Sequence, residues 1–76
     1  MRVSVGRKVK RWRTARGLSE RAAAAEVGVS QPTLRAVEAN DVGGISLDVA
    51  VSFIRALGGT ITVNDFLPAG KRSPDL

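Results

Sequence analysis

The sequence predicts an all-α domain of four to five helices, two of which meet at a sharp turn, with one short β-strand near the C-terminal end. The chain has 76 residues, which is enough for one domain. Four serines each stand directly before an apolar pattern with helical spacing, and a segment of alternating polar and apolar residues follows the last pattern. We expect the domain to comprise residues 1–67, followed by a flexible tail over residues 68–76.

The first helix is predicted to begin after Ser4 and to present a basic outer surface. Its apolar residues recur at steps of three and four positions: Val5, Val9, Trp12 and Ala15. Residues 1–16 carry seven basic side chains and no acidic one, within a net charge of +5 for the whole chain. This clustering fits a phosphate-bearing partner, and it is also common on the solvated face of small basic proteins.

Residues 19–38 are predicted to form two short helices separated by a sharp turn. Ser19 can cap the second helix, whose first turn contains Glu20 and whose body includes four consecutive alanines. Gly28 can adopt the left-handed conformation that ends a helix, and Ser30 can cap the third helix. Two helices joined in this way form a helix-turn-helix, a shape that fits DNA.

The fourth helix is predicted between Ser46 and Gly58, and a strand is predicted over residues 60–64. Because one strand needs a partner, we expect it to pair with the same segment of a second molecule. The alternative is an extended segment that packs on its own domain. The expected dimer interface comprises Thr60, Ile61, Thr62, Val63 and Phe66.

Composition argues against an enzyme. The chain has no cysteine and no histidine, so it lacks thiolate ligands, disulfides and the commonest general base. We therefore expect no catalytic residue, no metal site and no cofactor. The apolar runs fall short of the roughly 20 residues needed to cross a bilayer, and the first residues lack a secretory apolar region. These features predict a cytoplasmic protein without a membrane partner.

The chain resembles the phage repressor and Cro-like helix-turn-helix family, which includes many bacterial regulators and antitoxins. The resemblance covers roughly residues 4–58, from Val5-Gly6-Arg7 through the turn at Gly28 to Ala56-Leu57-Gly58. It implies a lambda-repressor-like bundle and a homodimeric repressor that binds an inverted repeat in double-stranded DNA. The alternatives are an antitoxin that binds a toxin and represses its own operon, and a helix-turn-helix scaffold that binds only protein.

A helix in the major groove presents its first turn to base edges, so the start of the third helix holds the candidate base contacts. They are Gln31, Pro32, Thr33, Arg35 and Ala36. The Gln31 amide can make a paired contact with adenine, and the family often uses glutamine at the matching position. Arg35 can bind guanine or a phosphate. Alternatively, Gln31 and Arg35 are ordinary polar residues on a surface helix.

Phosphate contacts are expected from helix N-termini and loop amides, where backbone N–H groups point outward. The candidates are Ser19, Arg21, Ser30, Asn40, Gly43 and Gly44. One departure from the family stands beside them. Where many members have glutamine directly after the cap of the second helix, this chain has Glu20, whose negative charge repels a nearby phosphate.

The resemblance also implies an ion pair behind the third helix. Arg13 and Glu38 match positions that link the first and third helices in several phage repressors. A partly buried pair would hold the recognition helix in place. The alternative is two separate solvated charges, which would contribute little to stability.

Overall fold

The computed structural model describes residues 3–67, and all regular elements in that range are helical. The prediction of an all-α bundle is therefore confirmed for the described chain. The elements in order are α1 (Val5–Ala15), α2 (Glu20–Val27), α3 (Gln31–Glu38), α4 (Leu47–Ala56) and a 3₁₀ helix (Val63–Phe66).

Each α-helix begins after a serine whose hydroxyl oxygen accepts a backbone N–H from the first turn. Ser4 accepts from Arg7 at 3.3 Å, and the other three caps follow the same i to i+3 pattern at 3.1 to 3.2 Å. The other three capping residues are Ser19, Ser30 and Ser46. A cap of this kind stabilises a helix by about 1 kcal/mol, so four caps define helix starts in a chain with a small core.

The turn between α2 and α3 is built on Gly28. This residue has φ of 88°, in the left-handed region that glycine adopts without a steric penalty. The backbone N–H groups of Gly28 and Val29 both donate to the carbonyl oxygen of Ala24, at 2.9 and 3.0 Å. These bonds close α2 and direct the chain into α3, which packs directly on α2.

The core lies where the four α-helices meet and continues under the 3₁₀ helix. Val9, Leu34, Val37 and Phe53 have no solvent exposure. The ring of Phe53 packs on that of Phe66 with centroids 6.0 Å apart, which attaches the C-terminal segment to α4. The core therefore draws on every helix of the described chain.

The predicted strand at residues 60–64 is wrong, because no strand forms within residues 3–67. Ile61 is only 1% exposed and belongs to the core of its own domain. The carboxylate of Asp65 accepts the backbone N–H of Thr62 at 2.9 Å, which starts the 3₁₀ helix. Residues 60–64 thus pack against the domain that they follow.

This correction removes the strand-paired dimer. Of the five residues predicted for that interface, Ile61 and Phe66 are buried inside their own subunit. Thr60, Thr62 and Val63 remain exposed, but they do not form a strand edge. A second copy therefore cannot add a strand here in this conformation.

The tail predicted at residues 68–76 lies outside the described residues. Within residues 3–67, no helix is long and apolar enough to span a bilayer.

Candidate nucleic-acid interface

The outer side of α3 is the candidate reading surface. Leu34 and Val37 are completely buried and hold one side of α3 in the core. Helical spacing then turns the rest of the helix outward. Pro32 and Arg35 are exposed, and the remaining predicted base contacts, which are half-buried, are Gln31, Thr33 and Ala36.

The first turn of α3 is held by its cap. The hydroxyl groups of Ser30 and Thr33 lie 2.8 Å apart, and Ser30 also accepts the Thr33 N–H. Thr33 is therefore engaged within its own helix, unlike Gln31, whose side chain makes no hydrogen bond within the described chain. Of the two, Gln31 is better placed to meet a base edge.

The C-terminal end of α3 is held by an ion pair between Arg13 and Glu38. Arg13 Nε donates to Glu38 Oε2 at 2.7 Å, and Arg13 Nη2 donates to Oε1 at 3.1 Å. The same guanidinium donates through Nη1 to the carbonyl oxygen of Leu18 at 3.2 Å. The two charged side chains are only 15% and 11% exposed. One arginine thus ties α1 to the end of α3 and to the loop before α2.

Hydrogen bonding to Glu38 raises the pKa of Arg13 above the ordinary arginine value. Arg13 is therefore charged at any pH at which a protein of this kind works. A base whose pKa is raised by folding stabilises the folded state below its ordinary pKa, and this contribution is lost only as the pH rises above it. The arginine side of the pair consequently adds no pH dependence near neutrality.

A second contact between α1 and α3 depends on a glycine. The backbone N–H of Gly6 donates to Asn40 Oδ1 at 2.9 Å. A side chain at position 6 would overlap the carbonyl oxygen of Glu38, so α1 can lie this close only because Gly6 has no Cβ. Asn40 has φ of 62° and follows the end of α3.

This contact was not predicted from the sequence. Asn40 was expected to bind phosphate, whereas its side-chain oxygen holds α1 in the structure. A glycine in the first turn of a helix is an unfavourable choice for helix formation, and this was the one available signal of close packing at Gly6.

The outer side of α3 carries a different arginine–glutamate pair. Arg35 Nε lies 3.5 Å from Glu20 Oε2, and these side chains are 59% and 37% exposed. Glu20 is the residue whose charge was expected to disfavour a phosphate beside α2. In the structure its carboxylate is directed to Arg35, the predicted guanine contact. Both residues were predicted to matter for DNA binding, but their pairing was not predicted.

The predicted phosphate contacts lie on α2, at the start of α3 and in the loop after α3. All six of the predicted residues are exposed: Ser19, Arg21, Ser30, Asn40, Gly43 and Gly44. Gly44 shares a shallow depression of about 310 Å³ with Pro32, Ala36 and Asp41. The loop after α3 is therefore adjacent to the predicted base contacts. The Asp41 carboxylate, which sequence analysis did not consider, disfavours a phosphate at this point of the loop.

Comparison with known families agrees with this architecture. A family model described as helix-turn-helix matches residues 9–64, which is more than half of the chain and includes α2, α3 and α4. No curated protein and no solved structure matches the chain.

Proposed function

The chain belongs to the Cro/C1-type helix-turn-helix family of DNA-binding transcriptional regulators, and from this premise we propose that it is a repressor that binds an inverted-repeat operator as a homodimer. The observation that carries the proposal is the two-sided character of α3. Leu34 and Val37 anchor its inner side in the core, and Arg13 binds Glu38 at its last turn. Its outer side leaves Gln31, Pro32 and Arg35 accessible. A rigid helix with an accessible first turn is what major-groove reading requires.

The chemistry of the outer side suggests the bases that are read. The Gln31 amide has a donor and an acceptor and suits adenine N6 and N7. Arg35 suits guanine O6 and N7 once it leaves Glu20, and the single long contact between them makes this exchange inexpensive. Pro32 and Ala36 offer apolar surface for a thymine methyl group. Phosphate contacts by Arg21 and by the exposed amides of Gly43 and Gly44 would set the register.

Dimerisation is proposed through an apolar patch formed by Leu47 and Val63. These are the large hydrophobic side chains that residues 3–67 leave exposed, at 65% and 45%. They border a groove of about 170 Å³ that Ile45, Ala50 and Phe66 also line. A domain of this size buries little core of its own, so covering this patch with a second copy would stabilise both subunits. This surface replaces the strand pairing that the fold excludes.

Selection of bound oligonucleotides by the purified chain tests the proposal. Random double-stranded DNA is incubated with the protein, and the retained sequences are read. We expect an inverted repeat whose half-sites are centred about one helical turn apart, roughly 34 Å. Affinity for that site should fall steeply with salt, because several phosphates are neutralised.

Two results would contradict this proposal. Retained DNA without a shared sequence would remove specific recognition, and a shared but asymmetric site would remove the homodimer. The Leu47→Lys variant tests whether the apolar patch forms the dimer. It should keep the helical content of the parent but lose binding to the two-half-site operator more than to a single half-site.

The antitoxin alternative has less support than the repressor. It drew on a strand after α4 and on the tail, and the described segment after α4 is a 3₁₀ helix with Ile61 and Phe66 in the core. Co-purification with a toxin encoded by a neighbouring reading frame would favour it. A chain that binds protein but retains no DNA in the selection would favour the protein-binding scaffold.

A further inference from the structure

An open groove runs along the outer flank of α1. It has a volume of about 410 Å³ and is lined by Lys8, Arg11, Trp12, Ala15, Leu57 and Thr60. We call it the Trp12 groove. Its floor is apolar, because it is formed by the half-buried indole of Trp12 together with Ala15 and Leu57. Trp12 is the single tryptophan of the chain, so its fluorescence reports on this groove alone.

The Trp12 groove lies away from the contacts that hold α3. At about 100° per residue, Lys8 and Ala15 lie roughly 160° around α1 from Gly6 and Arg13. Gly6 and Arg13 contact the end of α3. A molecule in the groove can therefore be bound while α3 remains anchored and exposed.

The rim of the groove carries positive charge that is only partly neutralised. Lys8 makes one long contact with Asp65, with 3.4 Å between Nζ and Oδ1, which leaves other donors of the ammonium group for a ligand. Arg11 is exposed and makes no ion pair within residues 3–67. Arg16 covers Trp12 from 5.4 Å and is itself paired with Glu26 at 2.9 Å. Arg11 is thus the uncompensated cation of this rim.

We propose that the Trp12 groove binds an acidic segment of a partner protein that carries an aliphatic or aromatic anchor side chain. The anchor lies on Trp12 and Leu57, and flanking carboxylates bind Arg11 and Lys8. Tryptophan and arginine together, around an apolar floor, are the residue types that dominate the free energy of binding at protein interfaces. This proposal does not depend on the repressor function, because the groove and the outer side of α3 share no residue.

Other occupants match the groove less well. A second copy related by a two-fold axis would place the basic rim against itself, since such an interface brings the same surfaces together. Residues 68–76 contain Lys71 and Arg72 against a single acidic side chain, Asp75, so they do not complement the rim. A DNA backbone would pair with Arg11 but would leave the Trp12 floor unused.

The test is selection of random 12-residue peptides displayed on phage, with the full chain as the target. Enriched peptides are then synthesised and titrated while Trp12 emission is followed. We expect acidic residues flanking one aliphatic or aromatic residue, and a shift of Trp12 emission to shorter wavelength as the indole becomes covered.

Three surface variants decide whether these peptides occupy the groove. Arg11→Glu and Ala15→Glu should each weaken binding about tenfold or more, because the first reverses the charge of the rim and the second places a carboxylate on the apolar floor. Lys10→Glu makes the same change of charge on an exposed part of α1 that does not line the groove, and it should weaken binding by less than about threefold. All three variants should keep the parent's helical content, since the three positions are exposed.

Several results would overturn the proposal. They are a selection that enriches no peptide, enriched peptides without acidic residues, and equal effects of Arg11→Glu and Lys10→Glu. Trp12 emission that changes with protein concentration would assign the groove to a second copy. A synthetic peptide of residues 68–76 that competes at lower concentration than the selected peptides would assign it to the end of the chain itself. If DNA binding is lost in Arg11→Glu while peptide binding persists, the rim serves phosphates instead.

Discussion

The chain contains an inner and an outer arginine–glutamate pair at α3, and the two pairs differ in burial and in hydrogen bonding. In the inner pair, Arg13 and Glu38 make two short hydrogen bonds and are 15% and 11% exposed. In the outer pair, Glu20 and Arg35 meet through one 3.5 Å contact and are 37% and 59% exposed. The inner pair cannot be separated without leaving a buried charge, whereas water can replace either member of the outer pair.

This difference in burial allows α3 to be fixed in the domain while part of its surface stays exposed. The inner pair is short, bidentate and mostly buried, so it stabilises the position of α3 in the domain. The outer pair is long and solvated, and under the proposed function Arg35 exchanges Glu20 for a base or a phosphate. The two pairs therefore predict different consequences for the same chemical change.

Breaking the inner pair is expected to have the largest effect. Glu38→Ala leaves Arg13 charged and without its carboxylate, and should lower the free energy of unfolding by about 3 kcal/mol. Urea denaturation followed by circular dichroism measures this. Glu26→Ala, which removes the exposed partner of Arg16, is the control and should change stability by less than about 1 kcal/mol. Equal effects of the two substitutions would show that the Arg13–Glu38 pair is as solvated as the exposed Arg16–Glu26 pair.

The next largest effect is expected at the glycine that brings α1 against α3. Gly6→Ala places a Cβ on the carbonyl oxygen of Glu38, which as backbone cannot move aside. The cost should be about 2 kcal/mol, although alanine is the better helix former. Gly43→Ala is the matched control, because a Cβ at position 43 meets open space. The same denaturation experiment compares them, and a stabilised Gly6→Ala would contradict the close approach.

On the outer side of α3, substitutions should change DNA binding and leave stability unaltered. Gln31→Ala should weaken binding to the selected operator about tenfold, because one paired contact with a base is lost. Binding to unrelated DNA should stay the same, as Gln31 carries no charge. Fluorescence anisotropy with labelled duplexes measures both. A parallel loss on both duplexes would mean that Gln31 contacts the backbone.

Changing the outer pair is expected to have the smallest effect. The direction of the change in DNA affinity distinguishes two roles of Glu20. Glu20→Gln should alter stability by less than about 0.5 kcal/mol and raise DNA affinity about threefold, because one carboxylate leaves a surface that faces phosphates. Glu26→Gln removes the same charge from the other end of α2 and should raise affinity less. A fall in operator affinity on Glu20→Gln would instead show that Glu20 positions Arg35 for guanine.

Most of the local structure could be predicted from particular residues. The four capping serines and Gly28 act through hydrogen bonds and backbone conformations that involve neighbours in the chain, so short-range patterns contain the information. The strand prediction also rested on a local pattern, and it was wrong. Four alternating residues fit a strand, but the bond from Thr62 to Asp65 and the burial of Ile61 favoured a 3₁₀ helix in the folded domain.

At the candidate interface, some features could be predicted from the sequence and others could not. Exposure of the α3 residues followed from helical period, because Leu34 and Val37 had to be buried. The roles of Asn40 and Glu20 did not follow, since each side chain finds its partner on another element. Gly6 lies 34 positions from Asn40 along the chain, and Arg35 lies in the helix after Glu20.

The sequence by itself determined where the four α-helices begin, which of their sides are apolar, and that α2 and α3 are joined by a sharp turn. These properties depend on interactions within a few residues, and such interactions leave periodic or capping patterns. Only the tertiary structure decided that the Arg13–Glu38 pair is mostly buried, that Glu20 is paired with Arg35, and that residues 60–64 join the core. Those outcomes depend on which distant side chains the packing of helices brings within hydrogen-bond distance, and on how much water remains around them.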